Sequence, residues 1–149
     1  LKSLYRITQQ HWILEDDALS TLQALKDANY DIGYISNAAS DADVQRQVDT
    51  ANLRPFADFV LSSAACGVRK PNPRIFEIGL ENWSYASHEV AMVGDTLGAD
   101  ILGAKNAGLF SIWLTRRAQT PANRDHAETI HPDAQIATLS ELTQLLFTL

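Results

Sequence analysis

Short apolar runs alternate with stretches of helical spacing along nearly the whole chain, and this alternation restricts the possible folds more than any other feature. Leu19, Leu22 and Leu25 recur between Asp17 and about Asn29, which predicts an amphipathic helix, with Asp16 or Asp17 placed to cap its first turn. Ile32 to Ile35 reads as a strand buried on both faces, ending at Ser36-Asn37. Ser40 is placed to cap a helix with the inner face Val44, Val48 and Ala51, and Asp58 to Leu61 supplies the next strand. Asn72-Pro73 opens a further helix, since proline at the first helical position forfeits no hydrogen bond; Ile75, Phe76, Gly79 and Leu80 form its buried stripe. Val90 to Val93 is a third strand, running into Gly94-Asp95-Thr96, and a helix from about Ala99 to Ala107 follows, stopped by Gly108. Leu109 to Leu114 is a fourth strand and Ile136 marks a short fifth. Thr138-Leu139-Ser140-Glu141 then fits a capping box for a last helix through Leu142, Leu145 and Leu146. Thr115 to Asp133, rich in Arg, Asn, Pro and His, reads as an exposed loop. Alternation of this kind predicts an α/β fold with a mostly parallel sheet covered by helices on both faces.

A chain of 149 residues is long enough to bury such a core without disulfides, and its single cysteine, Cys66, can form no internal bridge. The net charge of −6, with no block of Lys or Arg, argues against a nucleic-acid face and against an anionic membrane surface. No apolar run reaches the roughly 18 residues of a membrane span, and the first residues lack a signal-peptide pattern, so a cytoplasmic protein acting on small molecules is expected. Met92 is the only methionine, which makes Leu1 a processing or truncation boundary in this reading.

Ligands of open α/β sheets bind beyond the carboxyl ends of the strands. The polar residues expected there are Ser36 and Asn37, the run Gly67-Val68-Arg69-Lys70-Pro71, and Gly94-Asp95-Thr96 with Asp100 beyond. Hydroxyl and backbone donors, an ammonium and two carboxylates suit a phosphate held together with a divalent cation such as Mg²⁺. Asp16-Asp17 and Asp41-Ala42-Asp43 also pair carboxylates, but at helix starts, where capping explains them. His11, His88, His126 and His131 lack zinc-ligand spacing. Trp83 and Trp113 read as packing groups, and Cys66 as a small, partly buried residue.

Taken together these runs resemble the haloacid dehalogenase superfamily of phosphohydrolases, whose core is Rossmann-like. Ile35-Ser36-Asn37 is similar to its second motif, which implies that Ser36 and the backbone at Asn37 bind the transferring phosphoryl group. Gly67 to Pro73 resembles the third, which implies a catalytic and phosphate-binding role for Lys70. Val93 to Asp100, followed by Gly103 to Gly108, is similar to the fourth. That similarity implies Mg²⁺ coordination by Asp95, with Asp100 assisting directly, through water, or by orienting Lys70. The resemblance runs from about Asp16 to the C-terminus, making residues 16–149 the C-terminal portion of such a core and residues 1–15 the tail of a cap or a linker.

The family's first motif, an Asp-x-Asp pair whose first carboxylate attacks phosphorus, has no match. Asp41-Ala42-Asp43 has the letters but follows Ser36 and opens a helix. The resemblance therefore implies a nucleophile upstream of Leu1, a chain inactive by itself, and an unfilled place in the sheet between the strands ending at Ser36 and Asp95. Such a gap is costly, because it leaves backbone groups of inner strands unpaired. A missing N-terminal segment, direct strand pairing, a separate chain or a strand-exchanged dimer would each close it. The implied activity is Mg²⁺-dependent hydrolysis of small phosphate monoesters, phosphoglycolate-type or nucleotide. The alternatives are a 2-haloacid dehalogenase of the same superfamily and a non-catalytic fragment that binds phosphate or a partner.

Overall fold

The computed structural model describes residues 14–149. The residues before Leu14, most of the expected cap tail or linker and including His11 and Trp12, lie outside that range. The described elements follow the predicted alternation: α1 (Ala18–Asp27), β1 (Gly33–Ser36), α2 (Asp41–Thr50), β2 (Phe59–Ser62), α3 (Ser63–Cys66), α4 (Pro73–Leu80), β3 (Ala91–Gly94), α5 (Leu102–Asn106), β4 (Phe110–Leu114), α6 (Pro121–Arg124), β5 (Ala134–Ile136) and α7 (Glu141–Phe147). No helix among the described residues is long and apolar enough to cross a membrane.

Helix starts are decided by local chemistry. The Ser40 hydroxyl accepts from Asp43 N at 3.3 Å, and Asn72 Oδ1 accepts from Arg74 N at 2.9 Å. Two expected caps differ in detail. Asp17 stands at the N-cap of α1, yet its carboxylate makes no cap bond there and accepts instead from Ser140 N at 2.7 Å, joining the starts of α1 and α7. Glu141 reaches back to Thr138 N at 3.1 Å, while the Thr138 hydroxyl is engaged with Ser140, so only half of the capping box forms.

All strand pairs are parallel, but they form two separate ladders. In one, β1 lies beside β2 from Gly33↔Phe59 to Ser36↔Ser62. In the other, β3 lies beside β4 from Ala91↔Phe110 to Gly94↔Trp113, and β4 beside β5 from Ile112↔Ala134 to Leu114↔Ile136. No ladder joins β1 to β3 among the described residues, so direct strand pairing does not close the expected gap.

Apolar burial holds the two ladders together instead. On one face, Ile75 and Phe76 of α4 and Ala104 of α5 are fully buried against Ile35 and Leu61 of the first ladder and Met92 of the second. On the other, Leu25 of α1 and Leu142 of α7 pack on Ile112, Leu114 and Ile136, joined by Ile32 and Val93. Each large side chain so buried contributes about 1.5–3 kcal/mol. Both strands flanking the split are less covered than β4. Every residue of β1 is only half-buried and Ala91 of β3 is exposed, whereas Ser111 and Ile112 of β4 are fully buried.

At the base of β4, Asp133 Oδ2 accepts from Ser111 N at 2.8 Å and from the Ser111 hydroxyl at 2.9 Å. The backbone hydrogen bond, more than the serine hydroxyl or the nearby Lys105, holds the Asp133 carboxyl below its ordinary value against an opposing effect of burial. A depressed folded pKa stabilises above the unfolded value, near 3.8, and that stability is lost as pH falls through the folded pKa. Urea unfolding between about pH 6 and pH 3 is expected to show a shallower acid loss for Asp133→Asn than for the parent chain. Parallel curves would show that Asp133 contributes nothing to acid sensitivity.

Candidate active site

Parallel pairing brings the carboxyl ends of the strands in each ladder to one edge, and Lys70 joins the edges of the two ladders. Its ammonium donates to Ile35 O of β1 at 3.0 Å and to Asp100 Oδ1, just beyond β3, at 2.6 Å. Both partners of the ion pair are about nine-tenths buried. Asn37 clamps the lysine from below, its Nδ2 donating to Lys70 O at 3.0 Å and its Oδ1 accepting from Lys70 N at 2.8 Å. The Asn37 side chain is thus spent on positioning Lys70, which leaves its backbone as the group available to a phosphate. Ser36 ends β1 beside Ser62. Its hydroxyl has no hydrogen-bond partner among the described residues.

The Asp41-Ala42-Asp43 carboxylates point elsewhere. Asp41 accepts from the buried Ser62 hydroxyl at 2.7 Å, and Asp43 pairs with Arg46 on its own helix.

Gly94 lets the fourth run of residues close up. A Cβ at this position would lie 2.3–2.4 Å from Cβ, Cγ and Oδ2 of Asp100, so only glycine leaves room for that carboxylate against the end of β3. The chain turns through a π-helical segment, Leu97–Ile101, before α5, which starts the helix earlier than the expected Ala99. A π turn places Asp100 where Thr96 N donates to its Oδ2 at 3.1 Å. Both Asp100 oxygens are therefore engaged, one by Lys70 and one by Thr96.

Asp95 sits in a different setting. Its Oδ1 accepts from the Thr96 hydroxyl at 3.2 Å, and its Oδ2 meets Arg116 Nε at 3.0 Å, Arg116 Nη2 at 2.9 Å and Arg117 Nε at 3.4 Å. Partial burial, and then the adjacent Arg117 charge, push the Arg116 pKa down. Arg116 also pairs with Glu15.

These arginines belong to the stretch expected to be an exposed loop; it is exposed over most of its length, as expected, but it carries short helical turns and two buried anchors, Asn123 and Ile130. Thr115–Arg117 forms a 3-10 turn, α6 follows, and Asn123 is only 2% exposed. Asn123 Nδ2 donates to Asp95 O and to Arg117 O, both at 2.8 Å, while its Oδ1 accepts from Leu97 N at 2.8 Å. Trp113, expected only to pack, also donates its indole N–H to Asp95 O at 3.2 Å. A buried asparagine satisfied by three backbone groups is invisible to composition, because its partners come from distant positions in the chain. The one available signal was Pro121, a helix-start residue inside the supposed loop.

Among the described residues no group of three or more His, Cys, Asp or Glu converges as a metal cage. The donors present fit Mg²⁺ nevertheless, because that ion characteristically takes one or two carboxylates and completes its shell with water and phosphate oxygens. Asp95 is the carboxylate with an oxygen met only by a hydroxyl.

The sequence model described as haloacid dehalogenase-like hydrolase matches residues 2–114. The chain belongs to this family. Among its curated relatives, the pyrimidine 5'-nucleotidase YjjG of Escherichia coli (strain K12) is 39% identical over 130 residues, covering 87% of this chain and 55% of that protein. The glyceraldehyde 3-phosphate phosphatase of Methanothermobacter thermautotrophicus is 36% identical over 128 residues, covering 85% and 56% respectively. The chain thus spans about half the length of the curated relatives it matches. Among solved structures, a HAD phosphatase from Thermococcus onnurineus superposes with a TM-score of 0.79 at 26% identity, covering 97% of this chain and 63% of that one. A 2-haloacid dehalogenase from Pseudomonas syringae superposes with a TM-score of 0.75 at 28% identity, covering 91% and 54%. Haloacid dehalogenase-like hydrolases of both chemistries therefore share this architecture.

Proposed function

We propose that this chain is the phosphate- and metal-binding part of a cytoplasmic, Mg²⁺-dependent phosphohydrolase of small phosphate monoesters. The observation that carries the reading is the convergence of Lys70, Asp100 and the end of β1 on the split between the ladders, with Asp95 beside them. Phosphatase and nucleotidase names among the relatives support the substrate class.

In this reading the attacking carboxylate rides on a strand that enters between β1 and β3 from sequence outside these 149 residues. It attacks phosphorus as the ester P–O bond breaks and the alcohol leaves, protonated by the second acid of the same upstream pair; water then cleaves the aspartyl phosphate, releasing inorganic phosphate and restoring the carboxylate. The half-buried edges of β1 and β3 support that place for it. Lys70 spans the split and neutralises charge on the carboxylate and the phosphoryl oxygens. Asp100 aims Lys70, and Asn37 fixes its backbone. Ser36 offers its hydroxyl, which has no partner among the described residues, to a phosphoryl oxygen. Asp95 would hold Mg²⁺, which supplies charge neutralisation at the transferring group when bound.

Two measurements on the chain test this. With p-nitrophenyl phosphate and Mg²⁺, turnover is expected to stay at background; robust hydrolysis abolished by Asp95→Asn would show that the nucleophile lies within the chain. In calorimetric Mg²⁺ titration, Asp95→Asn is expected to weaken binding by at least about tenfold, and unchanged affinity would remove Asp95 from the metal site. Chloride release from a 2-haloacid without added metal would instead place the chain with the dehalogenases.

A further inference from the structure

Asp95 is the group best placed to meet a divalent cation, yet two guanidiniums crowd one of its oxygens. Arg116 places both Nε and Nη2 on Oδ2 at 3.0 and 2.9 Å, and Arg117 adds a third donor at 3.4 Å. Among the described residues, Oδ1 receives only the Thr96 hydroxyl. The remaining arm of Arg116, Nη1, meets Glu15, which stands three residues before α1. Four charged side chains, two of each sign, thus form a closed and nearly neutral cluster.

A divalent cation at Asp95 would upset that balance, adding two positive charges next to two already present and competing for the same carboxylate. We infer that Arg116 is a built-in counter-ion of Asp95, a positioning residue that holds this carboxylate in the metal-free protein and yields it to Mg²⁺ by passing to Glu15. Glu15 is the alternative partner that lets the guanidinium withdraw without becoming an unpaired, partly buried charge. Both side chains are about one-third exposed, so the exchange breaks no core packing. Asp95 itself stays fixed, because Asn123 and Trp113 grip its carbonyl and not its carboxylate. The affinity for metal is then set by three charges outside the coordination shell, and the segment leading into α1 takes part through Glu15.

The inference rests on Asp95 being the metal ligand, and the test separates the two. Mn²⁺ is titrated into the 149-residue chain, followed by electron paramagnetic resonance of the free ion, with urea unfolding of each metal-free variant alongside. Arg116→Gln is expected to bind Mn²⁺ roughly five- to tenfold tighter while its metal-free urea midpoint falls. Arg116→Lys, which keeps the charge, should stay near the parent affinity. Glu15→Gln should shift affinity the opposite way, since Arg116 then has nowhere to go. Bystander charges would also shift affinity by their sign alone, so the deciding arm is Glu15→Gln in an Arg116→Gln background: little further effect is expected there, and an undiminished effect would mark Glu15 as a bystander charge and overturn the handover. Unchanged or weaker binding by Arg116→Gln, with Asp95→Asn still abolishing it, overturns the counter-ion role and leaves the metal site standing. Binding that survives in Asp95→Asn, or none in the parent chain at millimolar Mn²⁺, overturns both.

Discussion

Lys70→Met is expected to lower the unfolding free energy by about 3–5 kcal/mol, the cost of stranding one member of a buried ion pair. Methionine is close to lysine in length, so the change removes the charge and its hydrogen bonds more than it opens a cavity. Asp100 would be left 6% exposed with Thr96 N as its sole remaining donor, and Ile35 O would lose the ammonium it accepts from. The double variant Lys70→Met with Asp100→Asn should be less damaging than the sum of the single changes, by about 1–3 kcal/mol in a double-mutant cycle. Urea unfolding near neutral pH measures both quantities. A single-variant loss below about 1 kcal/mol would mean that the pair behaves as an exposed one.

Gly94→Ala is expected to cost about 2–4 kcal/mol, in the range of substitutions that force overpacking together with the loss of a buried polar interaction. Its new Cβ would stand 2.3 Å from Asp100 Cβ and 2.4 Å from Cγ and Oδ2. Such a clash is cheap to relieve when the neighbour is the loose end of a long side chain, but Asp100 is pinned on both oxygens. Moving it breaks the contact with Lys70 or with Thr96 N, and moving β3 instead disturbs the register with β4. Combining Gly94→Ala with Asp100→Ala should therefore cost less than the two single losses added together. An unchanged urea midpoint for Gly94→Ala would show that the end of β3 is free to shift, and with it the geometry on which Lys70 depends.

Much of this architecture was legible beforehand because it depends on near neighbours. Ser40 and Asn72 cap helices through bonds to residues two or three positions away. The strands were readable as short apolar runs bounded by polar residues, within a residue or so of their observed limits. The Asp17 carboxylate and the buried Asn123 depart from the local reading for the opposite reason. The Asp17 carboxylate had a choice between its own helix and Ser140, more than a hundred residues away, and the distant partner won. Asn123 resembles a loop residue until Asp95 O, Leu97 N and Arg117 O surround it, after which it is one of the best satisfied side chains in the core. The roles proposed for Ser36, Lys70 and Asp95 are legible only as a pattern of residue types at strand ends. Asn37 shows what such a pattern leaves out, since its amide serves the lysine backbone and not a ligand.

The order and kind of the elements, the parallel α/β class and the three polar runs at the strand ends are readable from the residues alone, because periodicity, caps and breakers act over a few residues. The grouping of the strands into two ladders with no pairing between β1 and β3 among the described residues, the engagement of Asp100 by Lys70, and the contacts of Asp95 with Arg116 and Arg117 emerge only when the chain has folded. Those outcomes depend on which distant groups compete for the same carbonyl or carboxylate once the core has closed. Their separation along the chain carries no periodic trace, and their energies exist only in the partly buried setting that folding creates.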